Sequence, residues 1–428
     1  SVGVVLAAVL IIPIRGGFTV AANNVGTVYF SENIRLNHAA VNPLFSFLES
    51  ATHNEDFASQ YRFMDDAEAM ALFSKMTYTA RRDTTDNVIT ERPEHVVIVV
   101  LESFSRLIMD IPNVTPQLNK LCGEGLYFTN FHANSFRTDR GLVSILSGYP
   151  AQPTMSLMKY PAKTNQLYSI ARSLGKAGYD TRYVYGGDAN FTNMRSYLMA
   201  TGFNRIVSEE DYDARLRTGK WGVNDEELFK RALQEMDMKR PSLSVIQTPS
   251  SPEPYDVPMH VLDDERLNAF HYTDHCLGDF VSKLRQRPEW AKTLLVVVPD
   301  HLGCYPKDID NFQLYRYQIP MVMLGGVVRD PQHVDTMASQ HDLAATLLGM
   351  MGIDHSEFTF SKDILDPRSP HFAFFTVPDA VGMVTEDNAV IYDNVSGKTM
   401  LNTGRRRGSN LRPAQAYLQK LYDDISRR

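Results

Sequence analysis

The run Val96-Val97-Ile98-Val99-Val100-Leu101, nearly all of it β-branched, constrains this chain more than any other feature. A strand without polar alternation must be buried on both faces, as it is in a parallel sheet covered by helices. The sequence after it keeps the same rhythm. Strands are expected at 126–131, 181–185, 243–247, 294–298 and 319–324, alternating with helices at 142–146, 167–174, 226–236, 265–284 and 343–351. A further helix is expected to begin with Thr115 as N-cap and Pro116 in its first turn, ending near Gly123 and Gly125. Strands alternating with helices imply crossover connections, so the fold class is α/β with a mostly parallel central sheet covered on both faces. Past residue 366 the rhythm shortens. Apolar stretches at 372–377, 381–384 and 389–392, separated by turns, predict a small antiparallel sheet, and a helix over 413–425 closes the chain.

The ends of the chain set the remaining boundaries. Val2 to Ile14 is apolar but is broken by Pro13 and followed by Arg15-Gly16-Gly17, too short for the ~20 residues that span a bilayer. With no initiator Met and no charged segment before it, the run reads as the tail of a transmembrane helix, the alternative being a buried strand or short core helix. Residues 15–90 then form a helical connector, with short helices at 41–49 and 65–75, residues 91–365 the catalytic α/β domain, and residues 366–428 the antiparallel subdomain with its terminal helix. Across 428 residues, 43 Lys and Arg are scattered under a net charge of -7, which leaves no basic stripe for nucleic acid. Arg405-Arg406-Arg407 reads as a solvated turn. Cys122, Cys276 and Cys304 lack the paired spacing of a zinc site or a disulfide framework.

Ligands of open parallel sheets bind at the carboxyl ends of the strands. The first strand leads into Glu102-Ser103, the strand at 294–298 leads through Pro299 into Asp300-His301, and the second strand leads to Ser135-Phe136-Arg137-Thr138-Asp139-Arg140-Gly141. Two carboxylates and an imidazole make an N/O donor set suited to Mn, Mg or Zn, and Leu302-Gly303 allows the strand end to curl so that neighbouring ligands share one ion. Thr138 precedes an apolar helical stretch, which puts its hydroxyl at a helix N-terminus where free N–H groups favour an attacking alkoxide or a phosphate oxygen. The competing reading is a Thr138 that only caps that helix. His271, Asp274 and His275 share one helix face and read as solvated rather than as ligands of a second ion, and His341-Asp342 reads as a cap.

Leu101-Glu102-Ser103-Phe104-Ser105, Arg137-Thr138-Asp139-Arg140, Tyr185-Gly186-Gly187-Asp188, Trp221-Gly222-Val223-Asn224-Asp225 and Asp300-His301 occur in an order and approximate spacing that resemble the lipoteichoic acid synthase-like phosphoglycerol transferases of the alkaline phosphatase/sulfatase superfamily, over roughly 95–353. The resemblance implies one divalent ion, Mn before Mg or Zn, held by Glu102, Thr138, Asp300 and His301. It implies a Thr138 nucleophile that takes a phosphate-linked headgroup from a membrane phospholipid, forms a phospho-Thr intermediate and passes the group to an envelope glycan or lipid. It also implies an anchor in the bacterial cytoplasmic membrane and a catalytic domain outside it. Asp188, Arg195, Trp221 and Arg140 are the expected substrate-binding residues.

Departures from the family pattern bear on specificity. Pro252 stands where the family usually has a His against the substrate phosphate, and Thr192 and Met194 fall near the places of a Trp and an Arg that meet the glycerol phosphate. Arg195 either substitutes for that Arg or is a surface helix residue. Thr138-Asp139-Arg140 lacks the Cys or Ser that a sulfatase oxidises to formylglycine. Two alternatives to a transferase stay open: a phosphodiesterase or phosphatase using the same residues, and a catalytically silent domain that binds envelope glycolipid.

Overall fold

The computed structural model describes residues 22–428 apart from 32, 53–54 and 78–86, so the apolar run at 2–14 lies outside the described residues. The large α/β body is built on strands β1 (His95–Leu101), β2 (Leu126–Phe128), β3 (Phe131–His132), β4 (Asp180–Tyr185), β5 (Arg205–Val207), β6 (Ser242–Gln247), β7 (Thr293–Pro299), β8 (Met321–Leu324), β9 (Gln332–Val334) and β10 (Ala338–Ser339). Eight of them form one sheet in the order β5-β4-β6-β1-β7-β8-β2-β9. Strands β5 to β7 in that order are all parallel, while β8 runs antiparallel to both β7 and β2. The expected strand at 126–131 is two short strands, and β3 pairs with β10 in a separate two-stranded sheet.

The β1 run feeds a core on each side. Val96, Ile98 and Val100 pack into one hydrophobic cluster and Val97, Val99 and Leu101 into another, which is why alternation is missing from the sequence. Helix Glu265–Arg285 covers the second face and packs against helix Pro116–Glu124. That contact corrects the reading of a solvated face. Asp274 is fully buried, and its carboxylate caps the N-terminus of the Pro116 helix by accepting from the Gln117 and Leu118 amides at 2.8 and 2.7 Å. Thr115 donates to Asn119 instead of capping. His271 Nδ1 lies 2.7 Å from the Asn113 carbonyl and His275 is exposed near Asp279.

The C-terminal sheet is a four-stranded meander of β11 (Ala373–Val377), β12 (Ala380–Val384), β13 (Asn388–Asp393) and β14 (Lys398–Gly404). It belongs to the same hydrophobic cluster as one face of the large sheet, through Phe374, Phe375 and Val381. The terminal helix Leu411–Arg427 lies against helix Asp66–Met76 of the connector. Gln419 accepts from the Phe63 and Met64 amides, and Arg62 pairs with Asp423 at 2.6 Å. His341 and Asp342 are buried in the fold. Asp342 closes a capping box with Ser339 and pairs with Lys362, and His341 bridges Asn134 and Tyr417. No helix among the described residues is long and apolar enough to cross a membrane.

Candidate active site and metal centre

Leu101 and Pro299 are register partners at the ends of neighbouring parallel strands, so the residues after them emerge side by side. Both strand ends curl at once. Ser103 takes a left-handed backbone conformation (φ 63°), costly for a residue with a Cβ and held here because its amide donates to Asp300 Oδ1 at 2.9 Å. The turn carries the Glu102 side chain back over the strand end. The Glu102 amide donates to Thr248 Oγ1 at 3.0 Å, and its carbonyl accepts from Ser251 Oγ at 2.6 Å. On the other strand, the Gln340 amide nitrogen donates to the Pro299 and Asp300 carbonyls at 2.6 and 2.8 Å. Ser103, Thr248 and Gln340 thus fix the backbones of Glu102 and Asp300. Nothing in their local sequence distinguishes them from ordinary polar residues.

One oxygen or nitrogen each from Glu102, Asp300 and His301 lies within 4.8 Å of the other two. His301 Nε2 is 3.0 Å from Glu102 Oε1 and 3.6 Å from Asp300 Oδ2. Thr138 is the first residue of helix Thr138–Ser147, and its hydroxyl donates to Glu102 Oε2 at 3.1 Å. The N-cap position of that helix is Arg137, and no side chain caps the helix, so the Thr138 hydroxyl is not its cap. Gly141, one turn along, makes this approach possible: a Cβ there would stand 1.6 Å from the Asp300 carbonyl oxygen. The helix therefore lies directly on the backbone of a triad residue, and only glycine allows it.

The electrostatics favour a bound cation. Asp300 is wholly buried, and its Oδ2 has no hydrogen-bond partner among the described residues. Burial, reinforced by the neighbouring Glu102 charge, pushes the Asp300 carboxyl well above the usual range. Burial also opposes the Glu102 charge, but the hydrogen bond and charge of His301 prevail and hold that carboxyl down at about 2. For His301, burial works against the imidazolium and the Asp300 charge outweighs it, keeping the ring well above its ordinary pKa. A buried orphan oxygen between an anion and an imidazole fits a divalent ion with N/O ligands.

The expected substrate residues are placed differently from one another. Trp221 and Asp188 lie at the end of β4, where Gly222 (φ 111°) lets the Trp221 loop abut Gly186, and the Val223 amide donates to the Gly186 carbonyl at 2.9 Å. Arg195 binds Asn190 Oδ1 at 2.9 Å and pairs with Glu210. Arg140 is turned into the fold, with its Nε donating to the Gln152 carbonyl at 3.1 Å and its guanidinium over the Phe136 ring.

Residues 94–353 match the family model described as Sulfatase. Phosphoglycerol transferase I of Xanthomonas campestris pv. campestris is 24% identical over 311 residues, 65% of this chain and 44% of that protein. The lipoteichoic acid synthase of Staphylococcus saprophyticus is 22% identical over 381 residues, 76% of this chain and 56% of that protein. The chain thus spans about half the length of these curated relatives. Among solved structures, a protein of the alkaline phosphatase superfamily from Vibrio parahaemolyticus superposes with a TM-score of 0.74 at 26% identity, covering 87% of this chain and 98% of that one. A lipoteichoic acid synthase from Listeria monocytogenes superposes with a TM-score of 0.69 at 19% identity over 85% and 97%, a likeness of fold.

Proposed function

This chain belongs to the sulfatase family, and from that premise we propose that it is a metal-dependent transferase that moves a phosphate-linked headgroup from a membrane phospholipid to an envelope acceptor. The observation that carries the reading is the Thr138 hydroxyl, hydrogen-bonded to a carboxylate of the buried triad at the carboxyl edge of a parallel sheet. A divalent ion, Mn first among the candidates, would be held by Glu102, Asp300, His301 and Thr138, and when bound it lowers the pKa of the hydroxyl and offsets phosphate charge. Before reaction the Thr138 proton points at Glu102 Oε2, which fixes the rotamer and leaves an oxygen lone pair free for phosphorus. The Thr138 Oγ1–P bond forms as the ester bond to diacylglycerol breaks; the hydroxyl gives up its proton and the departing diacylglycerol oxygen takes one up. In the second half an acceptor hydroxyl attacks phosphorus and loses its proton as the Oγ1–P bond breaks, and the Thr138 oxygen regains one.

Thr138 cannot become formylglycine, so the sulfatase scaffold here carries phosphoryl rather than sulfuryl chemistry. We place the domain on the outer side of the cytoplasmic membrane, where donor lipid and envelope acceptor meet. The test is the mass of the intact protein after incubation with phospholipid vesicles and Mn²⁺. A headgroup phosphate on Thr138, absent in Thr138→Ala, supports the proposal. Release of free headgroup phosphate with no acceptor product makes the enzyme a hydrolase, and no adduct together with no turnover of a chromogenic phosphodiester refutes an enzymatic role.

A further inference from the structure

The connector carries an apolar surface open to solvent. Of the twelve large hydrophobic side chains exposed among the described residues, six lie between Val28 and Leu48: Val28, Phe30, Leu36, Leu44, Phe47 and Leu48. Single exposed apolar residues are ordinary on a protein surface, but half of them gathered in one short segment form a patch. On helix Pro43–Thr52 they are ordered. Leu44, Phe47, Leu48 and Ala51 are spaced i, i+3, i+4 and i+7, so they share one face. Leu44 and Phe47 are 66% and 67% exposed. A helix that only rests on a folded body turns such a stripe inward, and this one turns it outward.

The sequence ahead of this face is apolar all round. Val2 to Ile14 carries no polar side chain, so if that run were to pack on the face, its own outer side would be left bare. Lipid satisfies the run and the face together. Net charge does not choose the partner, since Arg35 stands against Glu32 and Glu49 nearby in sequence; the apolar stripe does. The segment is also tied to the catalytic edge. At its head the Asn24 side-chain amide donates to the Asn190 carbonyl at 2.7 Å. Gly26 abuts helix Met194–Ala200, where a Cβ would stand 3.0 Å from the Ser196 amide nitrogen. Asn190 belongs to the loop after β4, and the end of β4 shares a register row with Gln247 and Val100, on the strand that delivers Glu102.

We infer that the segment from Val28 to Leu48 docks on a phospholipid bilayer, lying in its interface with Leu44, Phe47 and Leu48 seated at the boundary between headgroups and acyl chains. The bond from Asn24 to Asn190 then holds the catalytic edge at that surface. The docking stands on the apolar face alone. That the docked edge meets its donor lipid there rests on the transferase reading above.

Phe47→Trp reports on the face directly. With vesicles of phosphatidylcholine its emission, taken as the difference from wild type, should move to the blue and be quenched by lipids brominated on their acyl chains. Lys239→Trp is the control, since Lys239 is exposed at the opposite edge of the sheet, where β6 begins; its emission should do neither. Emission at Phe47→Trp that ignores the vesicles, or equal shifts at both positions, overturns the docking. An emission already blue without vesicles means that the apolar N-terminal run or a second copy covers the face, and overturns it as well. In the full chain, Leu44→Glu/Phe47→Glu should slow consumption of vesicle phospholipid by at least about tenfold and leave turnover of a soluble chromogenic phosphodiester unchanged. Undiminished consumption of vesicle phospholipid overturns the claim that the docked edge takes its donor there. Should the double variant not fold, Phe47→Trp decides alone. If wild type turns over neither substrate, the transferase reading falls, while the fluorescence still decides the docking.

Discussion

Replacing Gly141 by Ala places a methyl carbon 1.6 Å from the Asp300 carbonyl oxygen and 2.6 Å from its carbon. That carbonyl cannot retreat freely, because it is held by the Gln340 amide at 2.8 Å and continues a strand paired along β1. A tolerable carbon–oxygen contact needs roughly 3.3 Å, so the first turn of the Thr138 helix must shift by about 1.7 Å. Thr138 lies in that turn, and the displacement exceeds what its 3.1 Å bond to Glu102 can absorb. A misplacement of ~1 Å at a reacting group costs on the order of 10²-fold, so kcat should fall at least that far, about 2.7 kcal/mol in the barrier. Stability changes less. Overpacking costs about 1–3 kcal/mol, and the better helix propensity of Ala returns about 1 kcal/mol. The assay pairs turnover of a chromogenic phosphodiester with urea unfolding. Gly123→Ala is the control, since a Cβ there meets nothing within 4 Å; it should stabilise by up to about 1 kcal/mol with unchanged turnover. A Gly141→Ala enzyme that works at the wild-type rate would show that the helix does not depend on this contact to aim its hydroxyl.

Three further outcomes are expected. Thr138→Ala should abolish turnover while losing only about 1 kcal/mol of stability, the worth of one hydrogen bond, and Thr138→Ser should keep part of the rate; measurable turnover by the alanine variant would assign the reaction to another residue. Mn²⁺ at a hundred times its Kd should stabilise the fold by about 2.7 kcal/mol, read as a rise in Tm that Asp300→Asn removes, and an equal rise in that variant would put the ion elsewhere. Burial pushes the Asp274 carboxyl from its ordinary 3.8 up to about 6, against two backbone N–H bonds that favour the anion. The folded chain then keeps a proton that the unfolded chain has lost, so this contribution to stability is present at low pH and disappears as pH rises from 3.8 to about 6. Relative to Asp274→Asn, wild type should lose stability across that window, and parallel unfolding curves would contradict the assignment.

The sequence exposes the parts of this site that sit where a buried strand stops. Glu102 and Asp300 interrupt β-branched runs, and a charge immediately after such a run has few structural reasons to be there. The antiparallel course of β8 was hidden, because apolar content reports burial and not direction. Strand β14 was missed because nearly all of it is exposed, which leaves a polar stretch without alternation. Helix Ile34–Ala40 was missed too, in a stretch as polar as its surroundings. Asp274 looked solvated because its partners, the Gln117 and Leu118 amides, are more than 150 positions away. Long-range partners of this kind, Gln340 on Asp300 among them, follow from the tertiary arrangement alone. The glycines behave differently: Gly141 and Gly222 stand in recognisable motifs, yet the reason for each is a neighbouring backbone that the sequence does not name.

The clasp between the segment that leads into helix Asp66–Met76 and the terminal helix has a mechanical consequence. With Arg62 joined to Asp423 and Gln419 holding the backbone at Phe63 and Met64, a pull on the N-terminal side is borne by the C-terminal helix and, through it, by the whole body. Loosening either partner, Arg62 or Gln419, therefore weakens both ends of the contact at once, and the 62–64 segment and the terminal helix hold or part together.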